Sequence, residues 1–284
     1  MQIDPRLRKF ISEVLKEDVG SGDITTEFIV KKSQKSRALI FSKSEGILAG
    51  IEVAKQVFQL LDPKVNFKTS LKDGHQVKKG NHILEIFGKT PAILMGERTA
   101  LNFLQKLSGI ATLTNQFVRQ IKNTKAKICD TRKTTPLWRS LEKYAVQVGG
   151  GINNRFGLYD MILIKDNHIK AAGSIALAIK LTQQKNKKRL PIEVETKKLA
   201  EVQAALKAGV NFIMLDNFSL PNLKKAVKTI RDFEIKSKKK IKIEVSGNVN
   251  LKNVGKIAQS GVDLISVGQI THSAPALDFS LELL

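Results

Sequence analysis

Between Ala126 and Ser273 six short apolar runs each break off into charged, polar or glycine residues: AKICDTRK (126–133), MILIKDNH (161–168), PIEVET (191–196), FIMLDN (212–217), IKIEVSGN (241–248) and LISVGQITHS (264–273). Apolar residues in sequence, without polar alternation, suit strands covered on both faces. Helix-patterned segments separate the runs, among them Lys198–Ala208, stopped by Gly209, and Leu251–Gln259, stopped by Gly261. Strand–helix alternation with short loops implies a parallel sheet with right-handed crossovers. Six or seven such units in about 160 residues close, or nearly close, into an open (β/α) barrel smaller than the usual eight-fold one. An open doubly wound sheet is the alternative.

Parallel strands gather their C-terminal ends at one mouth, where such folds bind ligands. In GGGINNRFGLYDMILIKDNH (149–168), Lys165, Asp166 and His168 stand where the strand Met161–Ile164 ends. The same mouth collects Arg132 and Lys133, Glu195, Asp216, Ser246 and Gly247, and Gly268 with His272, while Arg139 and Arg155 lie in the preceding connections. The cations suit a substrate with several negative groups, since arginine grips carboxylate or phosphate in a bidentate fork. Glu195 and Asp216 offer oxygens to magnesium or to sugar hydroxyls, and Ser-Gly and Gly-Gln turns ahead of helices present N–H groups to a phosphate. An acid after one strand is an ordinary helix cap, and His272 by itself reads as structural. Six strands ending alike are harder to explain by capping. The glycine triplet precedes its strand, so it is no dinucleotide fingerprint, and the chain has no nucleophile elbow, P-loop, CxxC pair or HExxH helix. The pattern points to binding and charge stabilisation rather than covalent catalysis.

The N-terminal part reads as mixed α+β. Pro5–Lys16 is an amphipathic helix ended by Gly20, and SGDITT reads as a loop. Lys35–Phe41 and Gly46–Ala49 read as strands, and Val53–Leu61 as a helix stopped by Pro63. DGHQVKKGNHILEIFG (73–88) has two glycine-marked turns, like the hairpins of lipoyl carrier domains, but no lysine sits alone at a matching tip. Pro91 opens a stronger helix expected to close at Gly109. Leu94, Arg98 and Leu101 share one face of it, so Arg98 interrupts an apolar stripe and needs an internal carboxylate or an anion from elsewhere.

The net charge of +22 exceeds the magnitude of roughly 2–8 suited to a small soluble domain. Only ten of the 48 basic residues are arginine and aromatics are 6% of the chain. That weighs against a base-reading surface, which favours arginine and stacking rings. The runs KNKKR (185–189) and KSKKK (236–240) fall in helix-to-strand connections and read as solvated lysine, although the excess charge draws in small anions. No apolar run reaches the roughly 18 residues of a membrane span. MQIDPRLRKF lacks a signal core, so a cytoplasmic protein is expected. A single cysteine, Cys129, excludes an internal disulfide and a multi-cysteine metal site.

With these residues in view, the chain resembles the quinolinate phosphoribosyltransferase family, also called nicotinate-nucleotide diphosphorylase (carboxylating). The likeness runs through EDVGSGDITTEF, GILAGIEVA, GERTALNFLQKLSGIAT, DTRKTTPLWRSLEKYAV, GGGINNRFGLYDMILIKDNH, EVET, MLDNF, EVSGN and ISVGQITHS, nearly the full length. DTRKT is shared with sister families, whereas the ordered set with LIKDNH is specific. The resemblance implies an N-terminal α/β sandwich domain (1–109), an open barrel (110–270) and a C-terminal segment (271–284) returning to the first domain. It implies a homodimer, or a higher oligomer of dimers, in which Arg98 reaches the partner's barrel. The implied reaction joins quinolinate to phosphoribosyl pyrophosphate with magnesium, giving nicotinate mononucleotide, carbon dioxide and pyrophosphate.

By motif, Arg98, Arg132 and Arg155 match dicarboxylate binders, and Lys133 and Lys165 match cations at the pyrophosphate or the pyridine side. Glu195 and Asp216 match ribose and magnesium contacts, direct or through water or substrate. Ser246, Gly247 and Gly268 match the 5′-phosphate cradle, with His272 beside them. One departure stands out: the family usually reads Asn-His-Arg after the glycines, and this chain has Asn153-Asn154-Arg155. Asn154 can donate a hydrogen bond to a substrate carboxylate but carries no charge, which implies weaker quinolinate binding rather than lost chemistry. Rival readings are a related phosphoribosyltransferase with another acceptor, such as nicotinate or a molybdenum-linked ligand, and a basic nucleic-acid-binding protein on a barrel scaffold.

Overall fold

The computed structural model describes residues 3–284. The chain divides into two compact units. One holds the residues up to Asn115 together with Ser140–Gly150 and Ser273–Leu284, and the other holds Gln116–Arg139 and Gly151–His272.

In the first unit the strands are β1 (Lys35–Ser42), β2 (Gly46–Ile47), β3 (Asn66–Lys68), β4 (Gln76–Val77) and β5 (His82–Lys89). The second unit contributes β6 (Lys127–Cys129), β7 (Ile162–Ile164), β8 (Ile192–Thr196), β9 (Phe212–Asp216), β10 (Lys242–Ser246) and β11 (Leu264–Ser266). The last strand, β12 (Phe279–Leu283), pairs antiparallel with β1 in a four-stranded sheet ordered β12-β1-β5-β3. The alternating side chains Ala38 and Ile40 of β1 are fully buried, as period two requires of a sheet with one face on a core.

Three local expectations give way in this unit. SGDITT is not all loop: Asp23 accepts from the Thr26 amide at 3.1 Å and caps a helix over Ile24–Ile29. The two glycine turns at 73–88 do not make a hairpin, because β4 pairs with β2 while β5 pairs with β1 and β3. The helix opened near Pro91 runs on through Gly109 to Gln120, 31 residues in all. A Cβ at Gly109 would run into the Pro275 carbonyl oxygen, so that glycine serves close packing and not helix termination.

All six apolar runs become strands of one parallel sheet, ordered β6-β11-β10-β9-β8-β7. Every strand neighbours its successor in sequence except β6 and β7, which stand at the two ends of the order, so the barrel is open there. Ile152 makes a single parallel bridge to Cys129 on the free edge of β6. Four consecutive residues of β9, Phe212–Leu215, are buried, the two-sided cover that leaves no polar alternation to read. Helices lie between successive strands from β7 onward; that over Leu220–Ser237 buries Leu223, Ala226, Val227 and Ile230, one face at helical spacing.

Candidate functional site

Successive residues of a strand point to opposite faces, so Glu193 and Glu195 share a face of β8, as do Glu244 and Ser246 of β10. At the C-terminal ends of the barrel strands lies a cavity of about 790 Å³. It is bordered by Arg132, Lys133, Asn154, Arg155, Lys165, Glu195, Asp216, Ser246, Gly247, Gly268 and His272, eleven positions singled out in the sequence. All of them belong to the second unit.

Four others do not border it. Arg98 belongs to the first unit, and its side chain is exposed with no ion pair among the described residues. The buried stripe expected of it is therefore not seen: Leu101 is buried and Leu94 half-buried, but the residue between them faces out. Asp166 pairs with Lys197 at 2.7 Å. His168 takes the Lys165 amide on Nδ1 at 2.9 Å, closing the first turn of the helix Asp166–Ala172. Arg139 donates to Thr134 Oγ1 and to the Phe156 carbonyl, both at 3.0 Å.

On the β6 side the cavity is cationic. Arg132 and Lys133 are exposed and Arg155 is half-buried, donating to the Met161 carbonyl at 3.3 Å. Burial, with the nearby Arg132 charge, lowers the pKa of Arg155 below the usual arginine value. Neither guanidinium has an ion-pair partner among the described residues, so a bound anion would relieve the repulsion between them. Thr271 Oγ1 donates to the Lys133 carbonyl at 2.7 Å and fixes that loop beside Gly268.

On the side of β8 and β9 the cavity is acidic but counterbalanced. Glu195, 8% exposed, lies between Lys165 Nζ at 3.7 Å and Lys197 Nζ at 3.9 Å. Burial raises its pKa, and Lys165 acts against that rise. Asp216 accepts from Asn217 Nδ2 at 2.9 Å, and Asn217 Oδ1 accepts from Asn248 Nδ2 at 3.1 Å. Gly247, at φ 91°, leaves that space open: a Cβ there would collide with the Asn217 side chain. The Ser246–Asn248 backbone can thus approach a ligand closely. Among the described residues no three His, Cys, Asp or Glu side chains converge as a metal cage. Glu195 and Asp216 are two carboxylates and no more.

Sequence reading passed over Ser266, Asn217, Asn248 and above all Glu244, which border the cavity, and Glu193 beneath it. The signal was available: an acid two positions before Glu195, and another two before Ser246, must point inward if those residues do. Glu193 and Glu244 are both fully buried. Burial, with Glu244 alongside, pushes the Glu193 carboxyl well above the ordinary carboxylate range. Burial also raises Glu244, while donors from Ser266 and Asn154 hold it down.

An open α/β barrel with a cavity of unpaired arginines, flanked acids and a glycine turn defines an enzyme domain of the class that works on small polyanions. Residues 23–108 match the quinolinate phosphoribosyl transferase N-terminal domain and residues 110–282 its C-terminal domain. The chain belongs to the quinolinate phosphoribosyltransferase family. A probable nicotinate-nucleotide pyrophosphorylase [carboxylating] of Bacillus subtilis is 44% identical over 98% of this chain and 93% of its own length. One so described from Synechocystis sp. is 42% identical over 99% of this chain and 92% of its own. The crystal structure of NadC from Streptococcus pyogenes superposes with a TM-score of 0.93 at 40% identity, covering 100% of this chain and 99% of that one.

Proposed function

We propose that this protein transfers the phosphoribosyl group of phosphoribosyl pyrophosphate to quinolinate and removes the 2-carboxylate, giving nicotinate mononucleotide, carbon dioxide and pyrophosphate in NAD biosynthesis. The observation that carries the reading is a single cavity with unpaired Arg132 and Arg155 on one side and Glu195, Asp216 and the Ser246–Gly247 turn at the ends of β8, β9 and β10. Two carboxylates on a pyridine ring suit the arginine side, and a phosphorylated ribose suits the acids and the turn.

Arg132 and Arg155 hold the dicarboxylate, and Asn154 donates its main-chain N–H to Asp130 just after β6 while its side-chain oxygen accepts from the Arg155 amide. Departure of pyrophosphate leaves oxocarbenium character on the ribose, which Glu195 and Asp216 stabilise as fixed negative charges in a partly dry site. Lys133 and Lys165 neutralise the departing pyrophosphate or the ring-side charge. Ser246, Gly247 and Gly268, with His272 next to Gly268, cradle the 5′-phosphate. Once the ring nitrogen has bonded to the ribose, loss of the 2-carboxylate as carbon dioxide leaves an electron pair on the ring. The pyridinium and adjacent cations stabilise that pair, and it takes up a proton from water in the open cavity, so no general base is needed. Magnesium takes one or two protein carboxylates with waters and substrate phosphates. Glu195 and Asp216 fit that role directly or through water, and the ion supplies charge neutralisation of the pyrophosphate.

The working form is a homodimer, alone or paired into larger assemblies, with the exposed and unpaired Arg98 of one subunit completing the dicarboxylate site of the other. The protein acts in the cytoplasm; among the described residues no helix is long and apolar enough to cross a membrane. The test is turnover with quinolinate, phosphoribosyl pyrophosphate and magnesium, following released carbon dioxide, beside a parallel assay with nicotinate. Carbon dioxide release only with quinolinate is the expected result. Turnover of nicotinate alone would overturn the reading.

A further inference from the structure

Near Arg155 lies a pair of buried acids that phosphoribosyl transfer leaves unused. Glu193 of β8 and Glu244 of β10 flank β9 and are both fully buried. Neither oxygen of Glu193 has a hydrogen-bond donor among the described residues. Glu244 is engaged from above: Ser266 Oγ donates to Oε1 at 2.6 Å, and Asn154 Nδ2 stands 3.3 Å from each carboxylate oxygen. Asn154 is pinned elsewhere as well. Its main-chain N–H donates to Asp130 Oδ1 at 2.9 Å, and its side-chain Oδ1 accepts from the Arg155 amide at 2.6 Å.

These contacts permit one orientation of the Asn154 amide. Turned over, its oxygen would face the Glu244 carboxylate and its NH₂ would face the Arg155 N–H, two repulsive pairs in place of two hydrogen bonds. We propose that Glu244 is a positioning residue that sets specificity for the pyridine dicarboxylate: it turns the Asn154 side chain so that its oxygen holds the Arg155 backbone and fixes where the Arg155 guanidinium meets the substrate. The inference rests on the phosphoribosyl-transfer reading and deepens it. It also revises the role expected of Asn154, whose NH₂ faces the floor of the cavity and whose action on the substrate runs through its neighbour.

Glu244→Met keeps the side chain's length and removes both acceptors. In steady-state kinetics with each substrate varied in turn, it should raise the KM for quinolinate about tenfold, the scale of a hydrogen bond to a charged group, and leave the KM for phosphoribosyl pyrophosphate within about twofold. Asn154→Ala should do the same, and the double variant should be no worse than the worse single one. Glu244→Gln, which retains one acceptor, should fall between; it also serves if Glu244→Met does not fold. A KM for quinolinate that does not move, two KM values that rise together, or effects that multiply in the double variant would overturn the proposal. Amide exchange at the Arg155 N–H, followed by NMR, reads the same contact without turnover. It should quicken about tenfold or more in Glu244→Gln, and unchanged exchange would also overturn the proposal. A wild-type protein that fails to turn over quinolinate while this exchange still quickens would sink the functional reading and leave the Glu244–Asn154–Arg155 linkage standing.

Discussion

Lys165 Nζ stands 3.7 Å from Glu195 Oε2, so the cation that ends β7 and the acid that ends β8 meet at the rim of the cavity. Lys197 approaches the other oxygen of the same carboxylate at 3.9 Å and also holds Asp166. Burial raises the pKa of this carboxyl and the two lysines oppose that rise. The group is thus held in place at a buried position, where a carboxylate can stabilise positive charge developing on a sugar ring.

Glu195→Gln should therefore lower kcat by about a hundredfold, the usual scale for losing one electrostatic contact to a transition state, with a smaller change in either KM. Steady-state kinetics read both. A variant with full kcat and a raised KM would assign Glu195 to ground-state binding only.

Arg132→Ala removes one of two guanidinium groups that have no protein counter-ion. The expected loss in kcat/KM for quinolinate is at least about a hundredfold, the scale for truncating one partner of a desolvated charge pair. The fold should gain slightly, because the remaining Arg155 no longer faces a like charge. Thermal melting without ligand checks the second half of that statement.

Asn154→His places an imidazole against the Glu244 carboxylate, which favours its charged form. The charged ring has no acceptor for the Arg155 N–H, so the KM for quinolinate should rise as in Asn154→Ala. A fall would mean that the ring acts on the substrate directly and not through Arg155. An unchanged KM in the single variant would mean that the missing histidine has no bearing on quinolinate binding in this chain.

Glu193 carries a pH signature. Its carboxyl is raised well above 4.5 by burial beside Glu244, so the folded chain keeps a proton that the unfolded chain releases. Its contribution to stability is present below the unfolded pKa of about 4.3 and is lost as pH rises through the raised folded value. Glu193→Gln fixes a neutral group there and can donate to Glu244. It should stabilise the protein by about 1–3 kcal/mol at pH 8, with the difference shrinking towards pH 4. Denaturant melts at the two pH values measure it; a variant less stable than wild type at pH 8 would count against a neutral acid at this position.

Much of the barrel was legible because strand cores and strand ends are local features. Runs such as FIMLDN show an apolar core and a polar stop side by side, and a parallel sheet then carries Asp216 and its counterparts to one cavity. What failed was local reasoning about purpose. Gly109 looks like a helix stop, yet it is needed where the Pro275 carbonyl packs against the helix, 166 positions later in sequence. Arg98 looks buried because it follows Leu94 at helical spacing, but spacing does not say how wide the covered face of a helix is. Glu193 and Glu244 were passed over because an acid within a strand reads as an outward residue until its face is known.

The chain order of apolar cores and polar ends was enough to specify six parallel strands and the chemical types at their tips, since both follow from side-chain period and backbone preference over a few residues. Tertiary structure alone decided which groups meet: Asn154 on Glu244, Lys165 on Glu195, Arg155 beside Arg132. Those pairings join residues from different strands and loops, and their distances are set by how the sheet curls upon itself, a property no short segment carries.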